Sequence, residues 1–216
     1  MMSQIKYFIK DKINYYGKGE FVKYVFKAIF YKLFRICWFR YYLMEYLIDY
    51  HKVENYDDSP VCKLCIKDFE KGDLSYFTPK KLTLYQQWFQ DPYKQAYGIF
   101  FNGQLVSSAW ISYRELYVSE KYIFNLKKDA GLLLDMYSHP NYRNKGFYKT
   151  IHLFCLKKIY ENGRPKALTI IRKNNRPALK HQMRTGFFIL QKYMRFQIWG
   201  KEFINLKYED ISNKRV

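Results

Sequence analysis

The stretch DMYSHPNYRNKGFYKT, Asp135 to Thr150, decides how this chain folds. It follows the apolar segment Ala130 to Leu134. It leads into a segment with apolar residues at Ile151, Phe154, Cys155 and Ile159, a helical spacing. A strand, a proline turn, a basic loop with one glycine and then a helix build an anion site. The first-turn amides of a helix lack internal partners and carry the positive end of its dipole. Glycine lets a phosphate approach the backbone closely, where those amides bind it. Arg143 and Lys145 add charge. The stretch predicts a site for a phosphorylated ligand at a strand-to-helix junction.

Pro140 stands three residues before Arg143, and Gly146 three after it. A second block, NNRPALKHQMRTGF from Asn174 to Phe187, follows another apolar strand, Ala167 to Ile171. In it Ala178 lies three residues after Asn175, and Gly186 with Phe187 closes the segment. Together the blocks resemble the GNAT superfamily of CoA-dependent N-acyltransferases, over roughly Val61 to Phe203. That family pairs P-x-x-R/Q-x-x-G-x-G/A with N-x-x-A-x-x-x-Y-x-x-x-G-F/Y on the next helix. Either pattern alone is weak; both in order with a strand between them are fairly specific. Two positions depart from it. Tyr148 replaces the last small residue of the first pattern. Gln182 replaces the Tyr that protonates the departing thiolate, and it has no titratable proton. Another Tyr, a bound water or the substrate would have to serve.

The resemblance implies acetyl-CoA as co-substrate and no metal. It implies a mixed α/β fold: a GNAT-like central sheet with splayed central strands, flanked by helices. The backbone of Met136, Tyr137 and Ser138 would line the thioester. Arg143, Asn144, Lys145, Gly146, Phe147 and Tyr148 would hold the pyrophosphate, with Lys149 and Thr150 just behind. Asn175 and Ala178 would border the pantetheine arm. Asp135 is the only carboxylate on the strand, so it is a candidate base or substrate ligand. Counted back from Arg143 it faces away from the cleft, unless a bulge reverses it; otherwise it pairs with a Lys or Arg on the other sheet face. His181, beside Gln182, is the candidate acid, or an ordinary helix histidine. His139 reads as solvated. His152 and Cys155 look like a nucleophile pair, but a helix interior is a poor place for one.

At 216 residues and 49% hydrophobic, the chain can form one domain plus an extension. Its net charge of +19 suits a nucleic acid, an anionic membrane or an anionic substrate. Codon bias toward Lys, Tyr, Phe, Asn and Ile explains it equally well, so charge alone names no partner. With no RNA-recognition or helix-turn-helix pattern, nucleic acid is the lesser reading. Cys62 and Cys65 form a lone C-x-x-C with no second pair or nearby His to complete a zinc site. Structural thiols in a reducing cytosol fit better. No cleavable secretory signal is evident, which points to the cytoplasm.

The expected division is an extension and linker over 1–58 and a GNAT-like domain over 59–216. Residues 20–50 lack Gly and Pro and carry an apolar stripe beside Lys23, Lys27, Tyr31 and Arg35, a helical pattern. Such a basic amphipathic helix fits peripheral attachment to the inner face of the cytoplasmic membrane. Packing on the domain or in a homodimer is the alternative. His51 to Pro60 reads as a linker. Strands are expected over Val61–Phe69, Ala96–Phe101, Gln104–Tyr113, Gly131–Tyr137 and Ala167–Arg172, with a short one near Tyr122. Phe187–Phe203 reads as two strands turning near Gln191. Helices are expected over Lys81–Phe89, Gly146–Asn162 and Arg176–Thr185. Asn102-Gly103 signals a hairpin. By analogy the acceptor is an amino sugar of a surface polysaccharide, nucleotide- or lipid-linked. A protein N-acetyltransferase is one alternative; a catalytically degenerate module binding CoA, membrane or nucleic acid is another.

Overall fold

The computed structural model describes residues 36–54 and 59–206 throughout, and residues 19, 22, 23, 25, 26 and 29, which are helical. In chain order the elements are β1 (Ile36–Leu47), β2 (Val61–Lys63), α1 (Pro79–Phe89), β3 (Lys94–Phe101), β4 (Gln104–Ser112), β5 (Glu115–Ser119), β6 (Tyr122–Asn125), β7 (Ala130–Ser138), α2 (Phe147–Glu161), β8 (Lys166–Arg172), α3 (Arg176–Thr185), β9 (Phe188–Ile198) and β10 (Lys201–Ile204). The architecture is mixed α/β, with largely antiparallel sheet flanked by helices. The chain divides into two compact units. Among the described residues, one comprises 47–169 and the other residues up to 46 with 170–206.

In the 47–169 unit the strand order is β8–β7–β4–β3–β2. Asn102 and Gly103 join β3 to β4 with φ of 50° and 74°, the left-handed pair that a two-residue hairpin favours. β7 runs antiparallel to β4 and parallel to β8, and α2 makes the crossover. The helices cover opposite faces. Trp110 of β4 packs on Tyr85 and Trp88 of α1, with ring centroids 5.0 and 5.1 Å away. Leu134 pairs with Trp110 and shares its face. Gly131, of opposite parity, faces α2: a Cβ there would come within 2.8 Å of Ile159 Cγ1, so only glycine lets this helix approach. Phe69, Phe77, Tyr85, Trp88 and Trp110 form the aromatic core beneath α1.

In the other unit the order is β10–β9–β1, followed by the last residues of β8. β1 pairs antiparallel with β9 from Ile36↔Ile198 to Glu45↔Phe188. The helix expected over residues 20–50 therefore does not extend through 36–47. That segment carries Trp38, Phe39, Tyr41, Tyr42 and Tyr46, whose rings favour a pleated surface. Cys37, Tyr41 and Leu43 are buried on alternate positions before a bulge at Leu43/Met44. Tyr41 stacks on Tyr193 of β9, centroids 5.2 Å apart. Most of the earlier part of that helix lies outside the described residues. Among those described, no helix is long and apolar enough to cross a membrane.

Three smaller expectations also change. The strand over Val61–Phe69 stops at Lys63, and a 3-10 turn takes Ile66–Lys71. Asp68 Oδ2 accepts from the Cys65 amide at 2.8 Å, which starts that turn. The closing hairpin turns at Trp199–Gly200, not near Gln191, because those two residues adopt φ of 46° and 79°. The linker begins as a 3-10 turn, Tyr50–Lys52, and Val53 behind it is buried; residues 55–58 lie outside the described set.

Candidate active site

β7 carries an irregularity where the sequence places Asp135. Ser108 pairs with Tyr137 and Trp110 with Leu134, so two β7 residues, Asp135 and Met136, stand against Ala109 alone. This is a β-bulge, and Asp135 takes φ of 42° to make it. Strict alternation would send the Asp135 side chain to the α2 face. The bulge instead holds it on the α1 face with Leu134.

There its carboxylate is surrounded by donors. Tyr76 Oη donates to Oδ1 at 2.5 Å and Tyr85 Oη to Oδ2 at 2.6 Å. Lys81 Nζ reaches Oδ1 at 3.0 Å and Oδ2 at 2.9 Å. A carboxylate has about four lone-pair sites, and four contacts fill them. Asp135 in this state is a holder of donors and not an open base. Burial pushes the Lys81 ammonium below its ordinary pKa, and Asp135 opposes that shift. Burial and then the charge of Asp135 push the Tyr85 phenol well above its ordinary value. Tyr76, Lys81 and Tyr85 were not found by sequence reasoning. The only local signal was Lys81 and Tyr85 four apart, on one face of α1.

Before the bulge, β7 pairs with β8 from Ala130↔Lys166 to Leu133↔Thr169. From Leu134 onward, the β7 edge turned away from β4 is not part of that ladder. Met136, Tyr137 and Ser138 are the last three residues of this stretch. The chain then enters a 3-10 turn, Pro140–Tyr142. His139 caps it, its Nδ1 accepting from the Asn141 amide at 3.2 Å. The expectation that His139 is solvated fails: it is buried, and burial lowers its pKa.

Asn144 and Gly146 adopt φ of 65° and 88°, and Gly146 is the N-cap of α2. A Cβ on Gly146 would meet nothing within 4 Å, so its surroundings are open to a ligand. Arg143, Lys145 and Lys149 are exposed around it. Lys145 Nζ lies over the Tyr142 ring at 5.0 Å, and Phe147 packs on Phe101. Tyr148, the large residue in a small-residue position, turns back to the strand: its hydroxyl reaches Met136 Sδ at 3.6 Å. Thr150 follows, its amide donating to the Gly146 carbonyl at 3.0 Å. One turn on, His152 and Cys155 are fully buried, and burial pushes the Cys155 thiol far up, which leaves it inert.

The structure thus brings Asp135 through Thr150 together in one unit. Asn175, Ala178 and His181 belong to the other unit. There Asn175 is the N-cap of α3, its Oδ1 accepting from the Ala178 amide at 3.3 Å. The N-x-x-A spacing is that of a cap and its third helical residue. Gly186 ends α3 with φ of 108°, and Phe187 stacks on Tyr46 at 5.2 Å. His181 is half-buried on α3, and its carbonyl accepts from Thr185 Oγ1 at 3.1 Å. Gln182 is buried, and its main-chain carbonyl accepts from the Phe187 amide at 3.0 Å.

The overall fold recurs in solved structures. The fold is GNAT-like. A GNAT-family acetyltransferase structure from Novosphingobium aromaticivorans superposes with a TM-score of 0.54 at 13% identity, over 74% of this chain and 64% of that one. An acetyltransferase of the GNAT family from Colwellia psychrerythraea gives 0.54 at 13% identity, over 75% and 57%. A Drosophila protein gives 0.53 at 14% identity, over 76% and 52%. This chain therefore spans about half to two thirds of those chains. No protein-family profile and no curated protein matches the sequence.

Proposed function

We propose that this protein is an acetyl-CoA-dependent N-acetyltransferase. One observation carries the reading: the bulge at Asp135–Met136 leads within ten residues to a left-handed Gly146 that opens α2. A thioester ligand needs donors for its carbonyl and an anion seat for its pyrophosphate. The β7 edge from Met136 to Ser138 would meet the first need. The α2 N-terminus with Arg143, Lys145 and Lys149 would meet the second. The open space at Gly146 and the inward turn of Tyr148 fit that ligand. When bound, acetyl-CoA supplies an activated acyl group for transfer to an amine.

For the acceptor we propose an amino sugar, nucleotide- or lipid-linked, destined for a surface polysaccharide. The basic rim of the loop suits a diphosphate. A protein amine is the alternative acceptor. Gln182 supports a second reading, a CoA-binding module without catalysis, because it offers no proton to a departing thiolate.

The test is a thermal shift with acetyl-CoA, free CoA and ATP. Ligand at 100 times its Kd should add about 2.7 kcal/mol of stability. Stabilisation by both CoA forms, with thiol release on adding UDP-linked amino sugars, is the expected result. No response to CoA would overturn the reading; a response without thiol release with any amine would favour the binding module.

Peripheral attachment to an anionic membrane is also proposed. What supports it is the exposure of Val22, Phe26 and Ile29 on the helical residues near Lys23.

A further inference from the structure

Lys81 occupies a cage made for a cation. Its Nζ lies 3.4 Å from the centroid of the Tyr76 ring and 5.8 Å from that of Tyr85. Asp135 holds it from the third side at 2.9 and 3.0 Å. Two aromatic faces and a carboxylate are the chemistry that binds an ammonium group. The placement runs against the dipole of α1. Lys81 stands in its first turn after Pro79 and Lys80, with no acidic residue there, and the helix dipole repels a cation at that end. The side chain is 22% exposed, so the four-carbon stem can carry the ammonium out to solvent. Asp135, with all four acceptor sites taken, cannot receive a second cation while Lys81 stays.

We infer that the Tyr76–Tyr85–Asp135 cage is the seat of the acceptor's primary ammonium, and that Lys81 is a tethered occupant the acceptor displaces. The inference rests on the acetyl-transfer reading for the word acceptor, but the cage binds an ammonium whether or not transfer follows. It names the ligand class: a primary ammonium group, on a sugar or an alkyl chain. It also gives Lys81 a role as competitor: removing its charge should tighten ammonium binding.

The experiment is a calorimetric titration of the full chain with methylammonium and with glucosamine, without any CoA compound. Lys81→Met, which keeps the stem and removes the charge, should bind both at least tenfold tighter than the wild type. Adding Asp135→Asn should abolish that gain. A folded Lys81→Met protein that shows no gain overturns the inference, as does a gain that survives Asp135→Asn. Should Lys81→Met fail to fold, Lys81→Gln retains a donor for Asp135 and takes its place. On the wild type, methylammonium should move the Lys81 Cε resonance to its solvent-exposed position; a resonance unmoved at saturation also overturns it. Failure of CoA to bind, with ammonium binding intact, would sink the transferase reading and leave the cage standing.

Discussion

Tyr85 and Asp135, fifty positions apart in the chain, share a hydrogen bond of 2.6 Å between phenol and carboxylate. Tyr85 is fully buried and packs on Trp110, so its ring and its hydroxyl do separate work. Tyr85→Phe keeps the packing and removes a donor from a charged acceptor. It should cost about 1.5–3 kcal/mol, seen as a lower urea midpoint at unchanged slope. An unchanged midpoint would mean the bond contributes nothing net.

The pH dependence on the alkaline side has a definite sign. Burial raises the phenol pKa of Tyr85, Tyr113, Tyr137 and Tyr193, and pushes Tyr97 up to about 12. Folded values above the unfolded value of about 10 mean stability that is complete below that pH. It is lost as pH rises from there through the folded values. Spectrophotometric titration of tyrosinate should show a late class of phenols whose ionisation coincides with unfolding. Uniform titration near the ordinary phenol value in a folded protein would contradict this.

Gly146 and Gly186 both have positive φ but different surroundings. A Cβ at Gly146 meets nothing within 4 Å, whereas at Gly186 it comes 3.0 Å from Tyr46 Cε2. Alanine at either should cost about 1–2 kcal/mol of backbone strain. Gly186→Ala should cost more, since Tyr46 must also yield. Gly146→Asp should leave the fold largely intact and abolish CoA binding. Normal CoA affinity in that variant would defeat the assignment of the loop.

Asn175 separates two roles. As the cap of α3, its replacement by Ala should cost about 0.5–2 kcal/mol and leave CoA affinity unchanged once the protein is folded. A weaker CoA affinity at unchanged stability would show instead that the side chain meets the cofactor.

Membrane attachment is best probed by point substitution. A truncation near Ser59 would remove β1, a paired strand of its unit. Phe26→Glu with Ile29→Glu should reduce co-sedimentation with anionic vesicles at least about tenfold, since each apolar side chain contributes roughly 1.5–3 kcal/mol when buried. Equal partition of the variant and wild type would exclude attachment through this helix.

Most strands and helices from Lys94 to Thr185 were readable because their punctuation is local; β5 and the closing turn at Trp199–Gly200 were not. Asn102-Gly103, Pro140, Gly146, Asn175 and Gly186 each enforce a turn or cap through their own backbone chemistry. β1 was not readable, because an aromatic-rich segment without Gly or Pro satisfies a helical stripe and a pleated strand alike. Its partner, β9, settles the matter from far along the chain. The phosphate loop was legible for the same local reasons. The acceptor cage was not: Tyr76, Lys81 and Tyr85 reach Asp135 only through tertiary packing. The reversal of Asp135 itself depends on a one-residue bulge that no periodicity announces.

The pairing of β1 with β9 also sets a schedule for synthesis. Tyr41 leaves the ribosome about 150 residues before Tyr193, its stacking partner. At roughly 5–20 residues per second, an aromatic strand waits on the order of ten to thirty seconds for its mate. During that wait its edge is open to other nascent chains. Yield in a slowly translating host should therefore depend on temperature and on holding chaperones more than the stability of the finished protein would indicate.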